Sequence, residues 1–322
     1  MELSLSLLVL LQKLSPTPFP EIEEYLVASN ATFTGFKHWM NHATVVYGWT
    51  RLIHPASYFV GCKDDKEWIT HMTSVAAADI LKYENAKEVE DKPWLEYYLA
   101  VDRAKSAVVL VVKGTLSIKG AMTDLRCDYM PRDGYKYHRG ILEASEALIK
   151  HIRDDITLAL GANPDFSLVT CGHSMGGGVA ALVAHHLSKK LPDGRFVTKT
   201  EGRDIHCYAL EPTASMCAWT SADYQALISS LVHKNDIVSA LSKGVIKDIK
   251  AYDAYLQEHR DYLGEVLFNT AQMMAGFGDS KKADEYLDTF RSVATMRSWC
   301  PRGWCISLGR KRYFALEELG TL

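Results

Sequence analysis

Residues 166–184 read FSLVTCGHSMGGGVAALVA, and positions 172–176 within this stretch form a G-x-S-x-G motif. An apolar, strand-like run precedes the motif, and a helix rich in small residues follows it. This order predicts a sharp turn that holds Ser174 above the edge of a sheet, where its hydroxyl can attack a carbonyl carbon. Side chains at Gly172 or Gly176 would clash where the helix turns back close to the strand. An ordinary glycine-rich turn between strand and helix is the alternative interpretation.

Strand-like and helical segments alternate along the chain on both sides of this motif. Residues 94–101 and 106–112 predict a hairpin whose second strand is buried on both faces. Residues 139–159 show helical spacing, and 204–210 and 226–232 predict two further strands. The alternation predicts an α/β fold with a mainly parallel sheet covered by helices on both faces.

The domain organisation is predicted from where this alternation stops. Residues 1–60 are expected to form an N-terminal helical segment packed on the core, with 21–60 helical and aromatic. Residues 61–322 are expected to form the α/β domain. Within it, 242–296 shows helical spacing without a strand and is predicted to be an insertion. A packed cap and a mobile lid over the serine are both compatible with that pattern.

Composition and charge indicate a soluble protein. The 322 residues are 48% hydrophobic and 23% charged, and 36 basic against 39 acidic residues give a net charge of −3. This charge offers no general attraction to nucleic acid, so no nucleic-acid partner is expected. The apolar stretch at residues 3–11 is shorter than the ~20 residues of a spanning helix and lacks the features of a signal peptide. We therefore expect a cytoplasmic protein, either free or peripheral on membranes, without a transmembrane helix.

The seven cysteines are scattered, odd in number and free of any C-x-x-C spacing. Reduced thiols fit this pattern better than a disulfide framework. Cys300 and Cys305 could pair or bind a metal, but no further cysteine or histidine lies near them in the sequence. We expect neither a metal nor a cofactor.

A serine nucleophile needs a base that takes its proton and an acid that orients the base. Asp236 follows the strand predicted at 226–232 by a few residues and is the candidate acid. A loop or helix-capping aspartate is the alternative. His259 is the one histidine after Asp236, but it falls within the helical insertion, where a solvated position is expected. His173 adjoins Ser174, yet neighbours on so sharp a turn point apart, so no convincing base emerges.

The negative oxygen of a reaction intermediate needs two hydrogen-bond donors. One is expected to be the backbone N–H of Met175, directly after the nucleophile. Thr115, just past the buried strand at 106–112, can offer both its N–H and its hydroxyl as the second.

Six segments carry a family resemblance through their order and spacing: YGW at 47–49, VVLVVKGTLS at 108–117, TDL at 123–125, HRG at 138–140, the serine motif, and NDIV at 235–238. Together they resemble the class 3 (fungal-type) lipases and, within them, the sn-1-specific diacylglycerol lipases, which usually carry arginine in place of Lys113. The resemblance implies an α/β-hydrolase fold and hydrolysis of a glycerolipid ester. It places Ser174 and Asp236 in the catalytic triad, and Thr115 and Met175 in the oxyanion hole.

Two features depart from that group. Its animal members carry an N-terminal bundle of membrane helices that has no counterpart in this sequence. WCPRGWCI at 299–306 resembles the family's late P-P-G-R strand, but the triad histidine is expected some tens of residues later, beyond Leu322. A truncated sequence, a naturally short product and an unorthodox base each account for this.

Three functions follow as hypotheses. The first is hydrolysis of the sn-1 acyl ester of diacylglycerol through an acyl-enzyme, at a membrane or lipid-droplet surface. The second is a catalytically incomplete protein of lipase fold that binds lipid or a partner. The third is another serine esterase, such as a phospholipase A1 or a galactolipase.

Overall fold

The computed structural model describes residues 7, 10–11, 25–27, 30–48, 64–73, 75–85, 88, 90, 92–114, 129–216, 223–232, 239, 243–293 and 312–314. The chain divides into two compact units. The first comprises Glu24–Ser239 and Ile306–Leu322, and the second comprises Met1–Glu23 and Ala240–Cys305. The domain boundary expected at residue 60 stays a prediction.

The described part of the first unit contains twelve strands. They are β1 (Tyr25–Val27), β2 (Ile80–Glu84), β3 (Tyr97–Asp102), β4 (Ala107–Val112), β5 (Tyr129–Arg132), β6 (Tyr135–His138), β7 (Ser167–His173), β8 (Ser188–Lys190), β9 (Phe196–Thr198), β10 (Ile205–Leu210), β11 (Ile228–Val232) and β12 (Arg312–Phe314). Eight of them form one sheet in the order β1-β12-β11-β10-β7-β4-β3-β2. The pairs β5–β6 and β8–β9 form two small hairpins that the sequence analysis did not predict.

The central sheet is mainly parallel. From β1 to β4 across the sheet all neighbours are parallel, whereas β3 pairs with β4 and β2 in the antiparallel sense. The pairing of Tyr97 with Val112 confirms the predicted hairpin. Because β4, β7, β10 and β11 run in the same direction, their carboxyl ends meet at one edge, where α/β proteins bind their ligands.

Helices cover both faces of this sheet. They are α1 (Asn30–Val45), α2 (Asp65–Thr73), α3 (Arg139–Ala162) and α4 (Met175–Leu187). Successive side chains of a strand point to opposite faces. Val108, Leu110 and Val112 accordingly pack with α3 and α4, while Val109 and Val111 pack with α1 and α2. Every residue of β4 is buried, as expected for a strand covered on both faces.

One expectation for the N-terminal segment was wrong. Residues 21–60 were expected to be helical, and α1 is helical, but Tyr25–Val27 forms the edge strand β1. Its partner in the sheet is Arg312–Phe314, almost the whole chain away in sequence. A three-residue strand has too few positions to show a period of two, so local patterning could not reveal it.

The second unit contains α5 (Lys243–Glu258), α6 (Arg260–Met274) and α7 (Lys281–Val293). These three helices match the helical pattern predicted for 242–296, and the described residues 243–293 contain no strand. The helices share a buried core in which the Tyr252 and Phe290 rings meet edge to face, with centroids 5.2 Å apart. Phe268, Met274 and Phe277 are instead exposed at 64%, 64% and 87%. Among the described helices of both units, none is long and apolar enough to cross a membrane.

Candidate active site

Ser174 occupies the turn between β7 and α4. Its backbone dihedral angles are φ 56° and ψ −128°, a conformation that costs free energy for any residue with a Cβ. Backbone hydrogen bonds hold the turn on two sides. The Ser174 N–H donates to the Leu210 carbonyl at 2.9 Å, and the Ser174 carbonyl accepts from the N–H groups of Gly178 and Thr213, each at 3.2 Å. The serine is therefore fixed in a strained conformation, 9% exposed, at the carboxyl edge of the sheet.

Close backbone packing explains the two glycines of the motif. A Cβ at Gly176 would lie 2.3 Å from the Val112 carbonyl oxygen, and one at Gly172 would lie 2.5 Å from the Gly176 carbonyl oxygen. Ordinary carbon contacts begin at about 3.4 Å, and backbone atoms cannot rotate away. The turn thus brings β4, β7 and α4 closer together than any side chain at these positions permits.

The end of β4 lies directly against the serine. A Cβ at Gly114 would be 2.4 Å from the His173 carbonyl oxygen and 3.2 Å from the Ser174 Cβ. Thr115, the predicted second oxyanion donor, follows Gly114 and lies outside the described residues. Met175 is the first residue of α4, so its N–H belongs to the turn that lacks helical acceptors and carries the positive end of the helix dipole.

The candidate acid and the late segment of the family cannot be placed. Asp236 lies outside the described residues, as do residues 299–306. The strand that precedes Asp236 is β11, which is separated from β7 by β10 alone. The carboxyl end of β11 therefore lies at the same edge of the sheet as Ser174.

No base for Ser174 is found among the described histidines. His259 lies in the second unit as the exposed residue before α6, and its Nδ1–H donates to the Tyr255 carbonyl at 2.9 Å. His173 is bonded to Tyr47 and Glu211 instead of to the serine. None of the other histidines in the described ranges hydrogen-bonds the Ser174 hydroxyl. Among these residues, the structure therefore shows no general base for Ser174, and the sequence had indicated none.

Residues 109–245 match the family model described as lipase (class 3). Over this segment the chain is similar to the class 3 lipases. It contains Ser174 and, by sequence, Thr115 and Asp236. The match agrees with the resemblance drawn from the motifs, and the mainly parallel sheet with helices on both faces confirms the predicted α/β-hydrolase fold.

Three relatives show how far the similarity to lipases extends. Diacylglycerol lipase-beta of Mus musculus is 24% identical in an alignment of 241 residues that covers 66% of this chain and 34% of that protein. Secreted mono- and diacylglycerol lipase 1 of Fusarium solani is 26% identical in an alignment of 205 residues that covers 59% of this chain and 57% of that protein. The Rhizomucor miehei lipase in its propeptide complex superposes with a TM-score of 0.53 at 15% identity, covering 69% of this chain and 67% of that one. The chain thus spans about a third to just over half of the length of these two sequence relatives.

A polar chain that the sequence did not predict lies beside Ser174. The Tyr47 hydroxyl lies 2.7 Å from His173 Nδ1, and His173 Nε2 lies 3.1 Å from a Glu211 carboxylate oxygen. Since a carboxylate accepts only, Nε2–H donates to Glu211 and Nδ1 accepts from the Tyr47 hydroxyl in the neutral histidine. Burial raises the pKa of Tyr47, so this hydroxyl stays protonated. The YGW motif was the available signal, but it served as a family marker and not as a contact.

This polar chain connects the serine turn to the end of β4. The Tyr47 hydroxyl also lies against Gly114, the residue that precedes Thr115, since a Cβ at Gly114 would be 2.6 Å from the Tyr47 oxygen. Glu211 adopts a positive φ of 42° directly after β10. This backbone conformation is strained for a residue with a Cβ, and it persists only where the surrounding structure holds it. Three sheet-edge segments next to the nucleophile are therefore tied together by side chains.

A buried ion pair supports the same end of β4. Lys113 is 5% exposed, and its Nζ lies 2.5 Å from a carboxylate oxygen of Glu96, which is 17% exposed. The same ammonium lies 5.9 Å from the centroid of the Tyr47 ring. Lys113, where the family resemblance expects an arginine, thus has a carboxylate partner, Glu96, directly before β3. This ion pair fixes the residue that precedes Gly114.

Proposed function

We propose that this chain is a lipid-ester hydrolase that cleaves the sn-1 acyl ester of diacylglycerol with Ser174 as the nucleophile. The observation that supports this most directly is the strained turn of Ser174, pressed between the end of β4 and the first turn of α4, within the matched lipase segment. The names of the mouse and Fusarium relatives describe diacylglycerol as a substrate of those proteins.

The proposed reaction passes through an acyl-enzyme. A histidine takes the proton of Ser174, whose oxygen attacks the ester carbonyl carbon, and Asp236 orients that histidine. The N–H groups of Met175 and Thr115 stabilise the negative oxygen, and each such donor contributes about 10²–10³ in turnover. The ester bond breaks, the departing glycerol oxygen takes the proton from the histidine, and water then hydrolyses the acyl-enzyme.

One observation favours a second candidate function. None of the described histidines hydrogen-bonds the Ser174 hydroxyl, which is what a catalytically incomplete lipase fold that binds lipid would show. Such a protein would retain the sheet edge and the serine turn but would lack turnover.

Labelling with an active-site fluorophosphonate separates the two candidates. We expect rapid covalent labelling of the purified chain and none of Ser174→Ala, with turnover in the variant reduced by about 10³-fold or more. Ser167→Ala, at the opposite end of β7, is the matched control and should label like the parent chain. Absence of labelling in the parent chain would sink the proposed mechanism and favour the incomplete lipase.

A substrate panel then tests the proposed lipid class. Diacylglycerols labelled at sn-1 or at sn-2, a phospholipid, a galactolipid and a short-chain ester are compared at equal concentration. Preferential release of the sn-1 acyl chain from diacylglycerol is the expected result. Faster release from phospholipid or galactolipid would replace the proposed substrate while retaining the serine chemistry.

We further infer that the protein meets its glycerolipid at a membrane or lipid-droplet surface. The exposed side chains of Phe268, Met274 and Phe277 in the second unit support this, because amphipathic helices bind lipid surfaces through such residues. The proposed location is cytoplasmic and peripheral on membranes. Fractionation of cells that produce the protein tests it, and recovery from the culture medium would contradict it.

A further inference from the structure

A compact cluster of two histidines and one aspartate lies at the opposite edge of the sheet from Ser174. His38 and His42 are four residues apart on α1 and so share one helix face, and Asp102 is the last residue of β3. Asp102 pairs across the sheet with Ala107, which pairs with Ser167 at the start of β7. Ser174 follows the other end of β7, about 20 Å along the strand.

The donor atoms converge on one carboxylate oxygen. His38 Nε2 lies 2.5 Å and His42 Nε2 lies 3.2 Å from Asp102 Oδ2. One ligand atom from each of the three residues falls within 4.8 Å of the other two. Tetrahedral Zn²⁺ with bonds of about 2.0–2.1 Å places its ligand atoms about 3.3 Å apart. Both distances lie below this value by less than 1 Å, so outward displacements below 1 Å would open a tetrahedral site.

Tyr98 holds the ring of His42 through the nitrogen that does not face Asp102. The buried Tyr98 hydroxyl lies 2.7 Å from His42 Nδ1 and 3.4 Å from the His42 backbone carbonyl oxygen. When Nδ1–H donates to this hydroxyl, the lone pair of His42 Nε2 faces the Asp102 carboxylate, and a metal ion between the two groups would bind both.

The surroundings hold these groups as the outer contacts of a metal site usually do. The second oxygen of Asp102, Oδ1, accepts the Lys105 backbone N–H at 3.2 Å, and Tyr98 fixes the ring of His42. His42 and Asp102 are buried at 0% and 2% exposure, whereas His38 is 21% exposed and gives access from solvent. Two imidazoles and one carboxylate are a ligand set that leaves a fourth position for water.

We propose that His38, His42 and Asp102 bind one Zn²⁺ ion that joins α1 to the β3–β4 hairpin. The expectation of no metal is revised by this proposal, since about 60 residues separate Asp102 from the two histidines and only the packing of α1 on the sheet brings them together. The site is separate from Ser174, so the proposal is independent of the function proposed above.

Zinc binding is measured on the purified chain after chelator treatment and dialysis. We expect one Zn²⁺ per chain by elemental analysis, and a melting temperature raised by about 5 °C or more at a zinc concentration 100 times the dissociation constant. His38→Gln changes the half-buried ligand and should abolish both effects. His151→Gln, which removes a comparable histidine–carboxylate pair with Glu84 at 2.6 Å, is the matched control and should retain both.

Cobalt substitution distinguishes this site from the cysteines without any variant. Co²⁺ bound by nitrogen and oxygen gives visible d–d absorption without the intense near-ultraviolet band of a cobalt thiolate. Such a spectrum, saturating at one Co²⁺ per chain and displaced by Zn²⁺, is expected. A thiolate band at saturation, no bound metal after loading, or an unchanged melting shift in His38→Gln would each overturn the proposal.

Discussion

Replacing Gly176 with alanine tests the close packing of the serine turn. The new Cβ would lie 2.3 Å from the Val112 carbonyl oxygen and 2.6 Å from the Lys113 carbonyl carbon, about 1 Å inside ordinary contact distance. Because both neighbours are backbone atoms, β4 and α4 must separate. Overpacking of this kind costs about 3 kcal/mol. Alanine returns about 1 kcal/mol through helix propensity, so we expect a net loss of about 2 kcal/mol.

The matched control is Gly161→Ala in α3, where a Cβ would meet no atom within 4 Å. The same chemical change there should stabilise the protein by up to about 1 kcal/mol. Urea unfolding followed by circular dichroism measures both variants, and the expected difference between them is about 3 kcal/mol. A shift of about 1 Å at the oxyanion donors should also slow fluorophosphonate labelling of Gly176→Ala by about 10²-fold. Equal unfolding midpoints for the two variants would refute the packing argument.

Two further predictions concern pH and lipid binding. Burial lowers the pKa of His138 to about 4, so the unfolded chain takes up its proton first and the contribution of this histidine to stability is lost as pH falls from about 6.5 to 4. His138→Asn keeps an acceptor for the Ile141 N–H. Between pH 7 and pH 5, the free energy of unfolding measured in urea should fall by about 2 kcal/mol less in this variant than in the parent chain. Parallel pH profiles of the two proteins would contradict this. Met274→Ser combined with Phe277→Ser should reduce sedimentation with vesicles containing diacylglycerol, whereas Leu158→Ser, 72% exposed on α3, should not. An equal loss of vesicle binding in the double variant and in Leu158→Ser would contradict the prediction, because any exposed apolar side chain would then contribute to lipid binding.

The sequence predicted the elements whose burial is uniform or periodic. β3, β4, β7, β10 and β11 were found as apolar runs because a sheet covered on both faces needs them. The edge strand β1 and its neighbour β12 were missed because each has three residues and a partner distant in sequence. The hairpins β5–β6 and β8–β9 were missed for a related reason, since short exposed strands carry little hydrophobic pattern.

Site residues followed the same division between local and distant information. The turn of Ser174 is encoded within a few positions, because strand, glycine, serine and helix are consecutive. The contacts of Tyr47 with His173, and of His42 with Asp102, join residues 126 and 60 positions apart, and no local pattern specifies them. The roles expected for Asp236 and Thr115 stay predictions, as does the cap or lid role of residues 242–296.

The position of β12 between β1 and β11 has a consequence for biosynthesis. Arg312–Phe314 is translated about 80 residues after Val232, which at about 5–20 residues per second takes about 4–16 s. Throughout that interval β11 has an open backbone edge and β1 has no strand to join. Unpaired edges of this kind recruit other nascent chains into intermolecular sheets. The yield of folded protein should therefore depend on elongation rate and on chaperones that shield the ribosome-bound chain until β12 emerges.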